Sequence, residues 1–111
     1  MNIFLSFFLI FLTVVLNTCA QILLKFGAGK NIFNIYLLGG IVAYGISTMI
    51  YILVLSKLQL SVTYPIVIGL TVAATTCLGA VILKEQISFI HWLGIGLMLS
   101  GISAIFFGKI L

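Results

Sequence analysis

The stretch IFLSFFLIFLTVVLNTCAQILLKF, Ile3 to Phe26, carries one charge in 24 residues, Lys25 near its end. About 20 apolar residues in a helix cross the roughly 30 Å hydrocarbon layer of a bilayer, so this stretch reads as a transmembrane helix. Three further apolar stretches follow, at residues 33–55, 62–83 and 89–108. The sequence therefore predicts an all-α membrane protein of four transmembrane helices, the first over residues 3–26, in one domain covering residues 1–111. A charge near the middle of a membrane helix costs about 2.5–3.5 kcal/mol on insertion scales. In keeping with that cost, the five Lys, Glu85 and His91 fall near the ends of the apolar runs. Runs such as Ile3 to Ile10 and Ile50 to Leu55 lack the in–out alternation of membrane β-barrel strands. A signal peptide ahead of a soluble domain does not fit either. The apolar runs continue to the C-terminus, and the first has no basic start or clear cleavage site.

The connections, residues 27–32, 56–61 and 84–88, are short, which predicts antiparallel neighbours in a compact bundle with both termini on one side. Lys25, Lys30 and Lys84, with Glu85, then share one side, and Lys57 and Lys109 the other. Three lysines against two is almost no positive-inside bias. Insertion in both orientations, with antiparallel pairing of two copies, is one reading. A fixed orientation set by one or two lysines is the other. Five lysines spread over both sides are ordinary helix-flanking residues and do not point to nucleic acid or to a dedicated anionic-lipid surface.

Ser6, Thr13, Asn17, Gln21 and Lys25 recur at spacings of seven, four, four and four, along one face of the first helix. An amide moved into an apolar medium without a partner costs roughly 4–8 kcal/mol, so Asn17 and Gln21 are expected to face another helix or a wet cavity. They serve there either as interhelical glue or as the lining of a substrate path. Tyr44, Thr48 and Tyr51 in the second helix and Tyr64, Thr71 and Thr75 in the third supply matching polar and aromatic faces. Each hydroxyl alone is explained by a bond to its own helix; their convergence suggests a cavity. Pro65, the single proline, either frees a carbonyl beside Tyr64 and Gly69 or sits harmlessly in a first turn.

The fourth helix is rich in small residues: Gly94 and Gly101 a heptad apart, Gly96 four before Ser100, and Gly108. Small residues let helices approach closely in lipid, which makes Gly94 and Gly101 candidates for a subunit contact, with packing inside the same chain as the alternative. His91 and Trp92 suit the membrane interface. Cys19 and Cys77 lie inside spans and read as small core residues, with no metal indicated. One carboxylate, one His and two separated thiols offer no catalytic constellation, no metal cluster and no phosphate loop, so neither an enzyme nor a cofactor is expected. Glu85 beside Lys84 reads as a solvated loop pair.

With these features in place, the chain resembles a short member of the drug/metabolite transporter superfamily over nearly its whole length. The segment Ala20 to Lys25 resembles the end of that superfamily's first helix, Val62 to Ile66 its third-helix entry, and Glu85 to Gly101 its last hairpin. Within it, the chain resembles both the small multidrug resistance family and the subunits that flip undecaprenyl-phosphate-linked aminoarabinose. The first resemblance implies an antiparallel dimer around a central cavity, with Tyr64 at the cavity tyrosine and Gly94 and Gly101 at the dimer glycines. Asn17, however, stands where that family carries its membrane-embedded, proton-exchanging glutamate, and Asn cannot titrate. The segment Gln21 to Lys25, the pair Tyr64 and Pro65, and the hairpin from Glu85 to His91 and Trp92 are closer to the flippase branch. The resemblance thus implies an inner-membrane transporter subunit for an amphipathic or lipid-linked substrate such as a polyprenyl-phosphate sugar. It would work as an antiparallel homodimer or with a paralogous subunit, and Asn17, Gln21, Lys25, Tyr44, Tyr64 and Thr71 would line the substrate path. Export of small cations or polyamines and a non-transporting assembly subunit are the alternatives.

Overall fold

The four apolar stretches fold into α1 (Ile3–Gly27), α2 (Ile35–Leu55), α3 (Leu60–Val81) and α4 (Phe89–Ile110). A computed structural model describes the backbone of residues 3–29 and 34–110 and the side chains of residues 4–29 and 34–108. All four helices are long and apolar enough to cross a membrane, and the chain is a multi-pass membrane protein. Large apolar side chains such as Phe4, Met49, Phe89 and Ile90 lie exposed on the helix surfaces, as lipid-facing groups do.

The helix ends follow from capping groups. Asn34 takes an extended backbone (φ −80°, ψ 158°), and its side chain accepts the Leu37 amide, which starts α2 at Ile35. The sequence-based start at Phe33, like Lys30, lies outside the described residues. The third helix is displaced from its expected span of residues 62–83, beginning at Leu60 and ending at Val81. Gln59 is extended, and its carbonyl accepts the amides of Val62 and Thr63, so the helix starts two residues early. At the other end the amides of Leu83 and Glu85 both return to the Gly79 carbonyl, with Lys84 left-handed between them (φ 57°). Ser88 starts α4, its hydroxyl accepting the His91 amide and its carbonyl the Trp92 amide. Pro65 is the sixth residue of α3, not part of its first turn, and so the Ser61 carbonyl loses the amide that would bond it there.

The chain divides into two helical hairpins, residues 1–57 and 58–111. In the first, α1 and α2 meet where side chains are small. A Cβ on Gly40 would lie 2.9 Å from two carbons of Leu24 and 3.2 Å from the Ala20 carbonyl oxygen, and Ala20 is fully buried. Near the turn, the Asn34 side chain also donates to the Gly27 carbonyl at 3.1 Å, joining the end of α1 to the start of α2.

In the second hairpin the tip of Ile102 on α4 fills the notch left by Gly69 on α3. Ile95, a heptad before Ile102, is buried. Gly94, Gly96, Gly101 and Gly108 are different: among the described residues of the second hairpin nothing beyond the local helix lies within 4 Å of the place where a Cβ would stand on any of them. Within the second hairpin, α4 packs on α3 through Ile95 and Ile102 and not through these glycines. The expectation that Cys19 and Cys77 are core residues is also corrected. Both are exposed, on helix surfaces where a weakly polar thiol is tolerated among lipid-facing groups.

Candidate functional site

Polar groups of the first hairpin gather on the seam between α1 and α2. Ser6, Thr13 and Asn17 on α1 and Ser47 on α2 are all buried. The Ser47 hydroxyl donates to Asn17 Oδ1 and stands 3.4 Å from the Thr13 carbonyl. One turn further along α1, Gln21 Nε2 donates to the Tyr44 hydroxyl at 2.9 Å. Both amides of the sequence-defined stripe thus meet the neighbouring helix. Gln21 and Tyr44 are exposed, and so is Lys25 in the last turn of α1.

The four-residue steps from Asn17 to Gln21 to Lys25 advance about 6 Å each along a helix, carrying the polar groups from mid-span to the helix end. Tyr44 and Ser47 face them from α2 because they are three residues apart, nearly one helical turn. Thr48, which the sequence pattern groups with Tyr44 and Tyr51, returns its hydroxyl to the Tyr44 carbonyl at 2.9 Å and is exposed. Ser47, not Thr48, is the α2 group that reaches Asn17. Its signal in the sequence is its place one turn after Tyr44, where a small hydroxyl in an apolar helix passes for a packing residue.

In the second hairpin Tyr64 is 52% exposed and Thr71 is buried. The Thr71 hydroxyl donates to the Val67 carbonyl at 2.7 Å, and Thr75 to the Thr71 carbonyl at 2.8 Å. These hydroxyls have spent their protons on their own helix and retain only acceptor capacity. Thr63, 1% exposed, has a hydroxyl without a hydrogen-bond partner among the described residues.

At the far end of α3, His91 Nε2 lies 3.4 Å from Thr76 Oγ1, and the Glu85 side chain folds against Gly79. Glu85 is not ion-paired with Lys84, nor is any other ion pair present among the described residues; the left-handed Lys84 carries Glu85 back over α3. Those residues also hold no group of three or more His, Cys, Asp or Glu side chains able to bind a metal ion.

A sequence model of the Small Multidrug Resistance protein family matches residues 5–98. Among curated relatives, a probable 4-amino-4-deoxy-L-arabinose-phosphoundecaprenol flippase subunit, ArnE, of Pseudomonas savastanoi is 34% identical over 62 residues, 56% of this chain and 54% of the relative. The corresponding subunit of Pseudomonas syringae is 34% identical over 58 residues, 52% of this chain and 53% of the relative. The chain thus spans about half the length of these flippase subunits. An uncharacterized protein of Sinorhizobium fredii, y4nH, is 32% identical over 97 residues, 78% of this chain and 83% of the relative. No solved structure matches the chain significantly. With four membrane-spanning helices and a family match that runs from α1 into α4, the chain belongs to the Small Multidrug Resistance protein family.

Proposed function

We propose that this chain is a non-enzymatic transporter subunit of the inner membrane that moves an amphipathic, lipid-linked substrate between leaflets. A polyprenyl-phosphate sugar is the substrate class. It would work as a dimer, with a second copy inserted antiparallel or with a paralogous subunit. The observation that carries the reading is the line of donors on the first hairpin: Asn17 at mid-span, then Gln21 bonded to Tyr44, then Lys25 at the helix end, with no carboxylate in any span. A phosphate headgroup would meet Lys25 first as a point charge and then exchange water for amide and phenol donors while its chain stays in lipid. The likeness to flippase subunits supports the same substrate class.

Two other readings have an observation behind them. The exposed rings of Tyr44 and Tyr64 suit export of small cations or polyamines through cation–π contact. The open glycine face of α4 suits an assembly subunit that only packs against another membrane protein.

The test is reconstitution of the protein in vesicles with a polyprenyl-phosphate sugar and measurement of its appearance in the opposite leaflet. Asn17→Leu is expected to abolish movement while the dimer persists in size-exclusion chromatography. Loss of the dimer in Asn17→Leu would return Asn17 to a purely structural role. Binding of a quaternary ammonium compound with no response to the lipid phosphate would favour cation export.

A further inference from the structure

Ser47 is 1% exposed, and its hydroxyl carries one proton. Two acceptors are within reach. The Thr13 carbonyl stands 3.4 Å away, at the outer limit of hydrogen bonding, and in a helix that carbonyl already takes the amide of Asn17 four residues on. Asn17 Oδ1 is the nearer acceptor and takes the proton. This divides the two ends of the Asn17 amide. Its oxygen is engaged inside the seam. Its Nδ2 has no hydrogen-bond partner among the described residues, although the residue is only 7% exposed. The nitrogen is not sealed in: it keeps access from outside the seam, where an acceptor can reach it. One turn along, Gln21 Nε2 donates to the Tyr44 oxygen, which leaves the phenolic proton free to be donated onward.

We infer that Ser47 is a positioning residue that sets the polarity of the site. By holding Asn17 Oδ1 it presents Asn17 Nδ2 as a pure donor, so that the seam between α1 and α2 selects an oxyanion or other hydrogen-bond acceptor over a cation. This inference rests on the transport reading above and sharpens its substrate class to a phosphate-type headgroup. Without the Ser47 proton the Asn17 amide is free to rotate, offering oxygen and nitrogen alike, and the preference for acceptors declines. Lys25 supplies long-range attraction for an anion at the helix end but cannot distinguish ligands at mid-span.

The experiment measures affinities of the purified full chain for three probes: farnesyl phosphate, farnesol and dodecyltrimethylammonium. The wild type is expected to prefer farnesyl phosphate over farnesol and over the cation. Ser47→Ala is expected to reduce that preference about tenfold, the scale of one hydrogen bond to a charged group. Ser47→Thr, which keeps the hydroxyl, is expected to restore it. An unchanged preference in Ser47→Ala overturns the inference.

Should Ser47→Ala fail to give monodisperse protein, Ser47→Cys replaces it, because a thiol is nearly isosteric and a weak donor. An intermediate preference then supports the inference and an unchanged one overturns it. A wild type that does not prefer the phosphate to the alcohol refutes the transport reading itself. Inorganic phosphate competing as strongly as farnesyl phosphate supports donor selection at Asn17 and refutes the lipid-linked substrate.

Discussion

The backbone of α2 at Gly40 comes so close to α1 that a Cβ there would stand 3.2 Å from the Ala20 carbonyl oxygen and 2.9 Å from two carbons of Leu24. This approach brings Ser47, two turns further along α2, within reach of Asn17. Gly40→Ala is expected to destabilise the first hairpin by about 1–3 kcal/mol, the usual cost of overpacking, because a backbone carbonyl cannot swing aside. Gly79→Ala meets only the end of the exposed Glu85 side chain and is expected to change stability by less than about 0.5 kcal/mol. Urea unfolding in detergent compares the two; equal losses would mean that the α1–α2 approach has no special cost.

Asn34 makes two bonds at once, accepting from the Leu37 amide at 3.0 Å and donating to the Gly27 carbonyl at 3.1 Å. Replacement by Ala removes both a helix cap and the tie to α1. Asn34→Ala is expected to cost about 1–2 kcal/mol. Asn34→Asp keeps the cap and loses the donor, so it is expected to fall between the two. Unfolding midpoints in that order check the assignment; identical midpoints for Asp and Asn would make the tie to Gly27 irrelevant.

Lys84 adopts a left-handed backbone (φ 57°) that costs a residue with a side chain about 1–2 kcal/mol. Glycine accepts this conformation freely but loses more entropy on folding. Lys84→Gly is therefore expected to stabilise the second hairpin by about 0.5–1 kcal/mol. A fall in the thermal midpoint would instead reveal a stabilising role for the ammonium group.

We place the proposed subunit contact on the glycine face of α4, which would separate assembly from folding. Among the described residues of the second hairpin nothing lies within 4 Å of a Cβ at Gly101, so Gly101→Leu is expected to leave helix content and the thermal midpoint unchanged while weakening the proposed dimer. Gly69→Leu, by contrast, collides with Ile102 and is expected to unfold the α3–α4 packing. Circular dichroism and size-exclusion chromatography on both variants make the distinction. A Gly101→Leu protein that stays dimeric would place the subunit contact elsewhere.

Hydropathy and helical spacing are local properties, and they are enough to specify four membrane helices and a polar face running from Ser6 through Asn17 to Lys25. The boundaries of α1 and α4 follow within two residues for the same reason. The shift of α3 from residues 62–83 to Leu60–Val81 depends on Gln59 and Lys84, whose backbone conformations no hydropathy pattern encodes. Spacing within one helix also says nothing about which residue of the next helix will oppose it. Tertiary packing alone decides that Ser47 rather than Thr48 meets Asn17, that Gly40 and Gly69 serve close approach within their hairpins, and that the α4 glycines take no part in the α3–α4 contact. Each of these outcomes turns on the rotation of one helix against another, set by which side chains interlock across the seam, and composition leaves that rotation free.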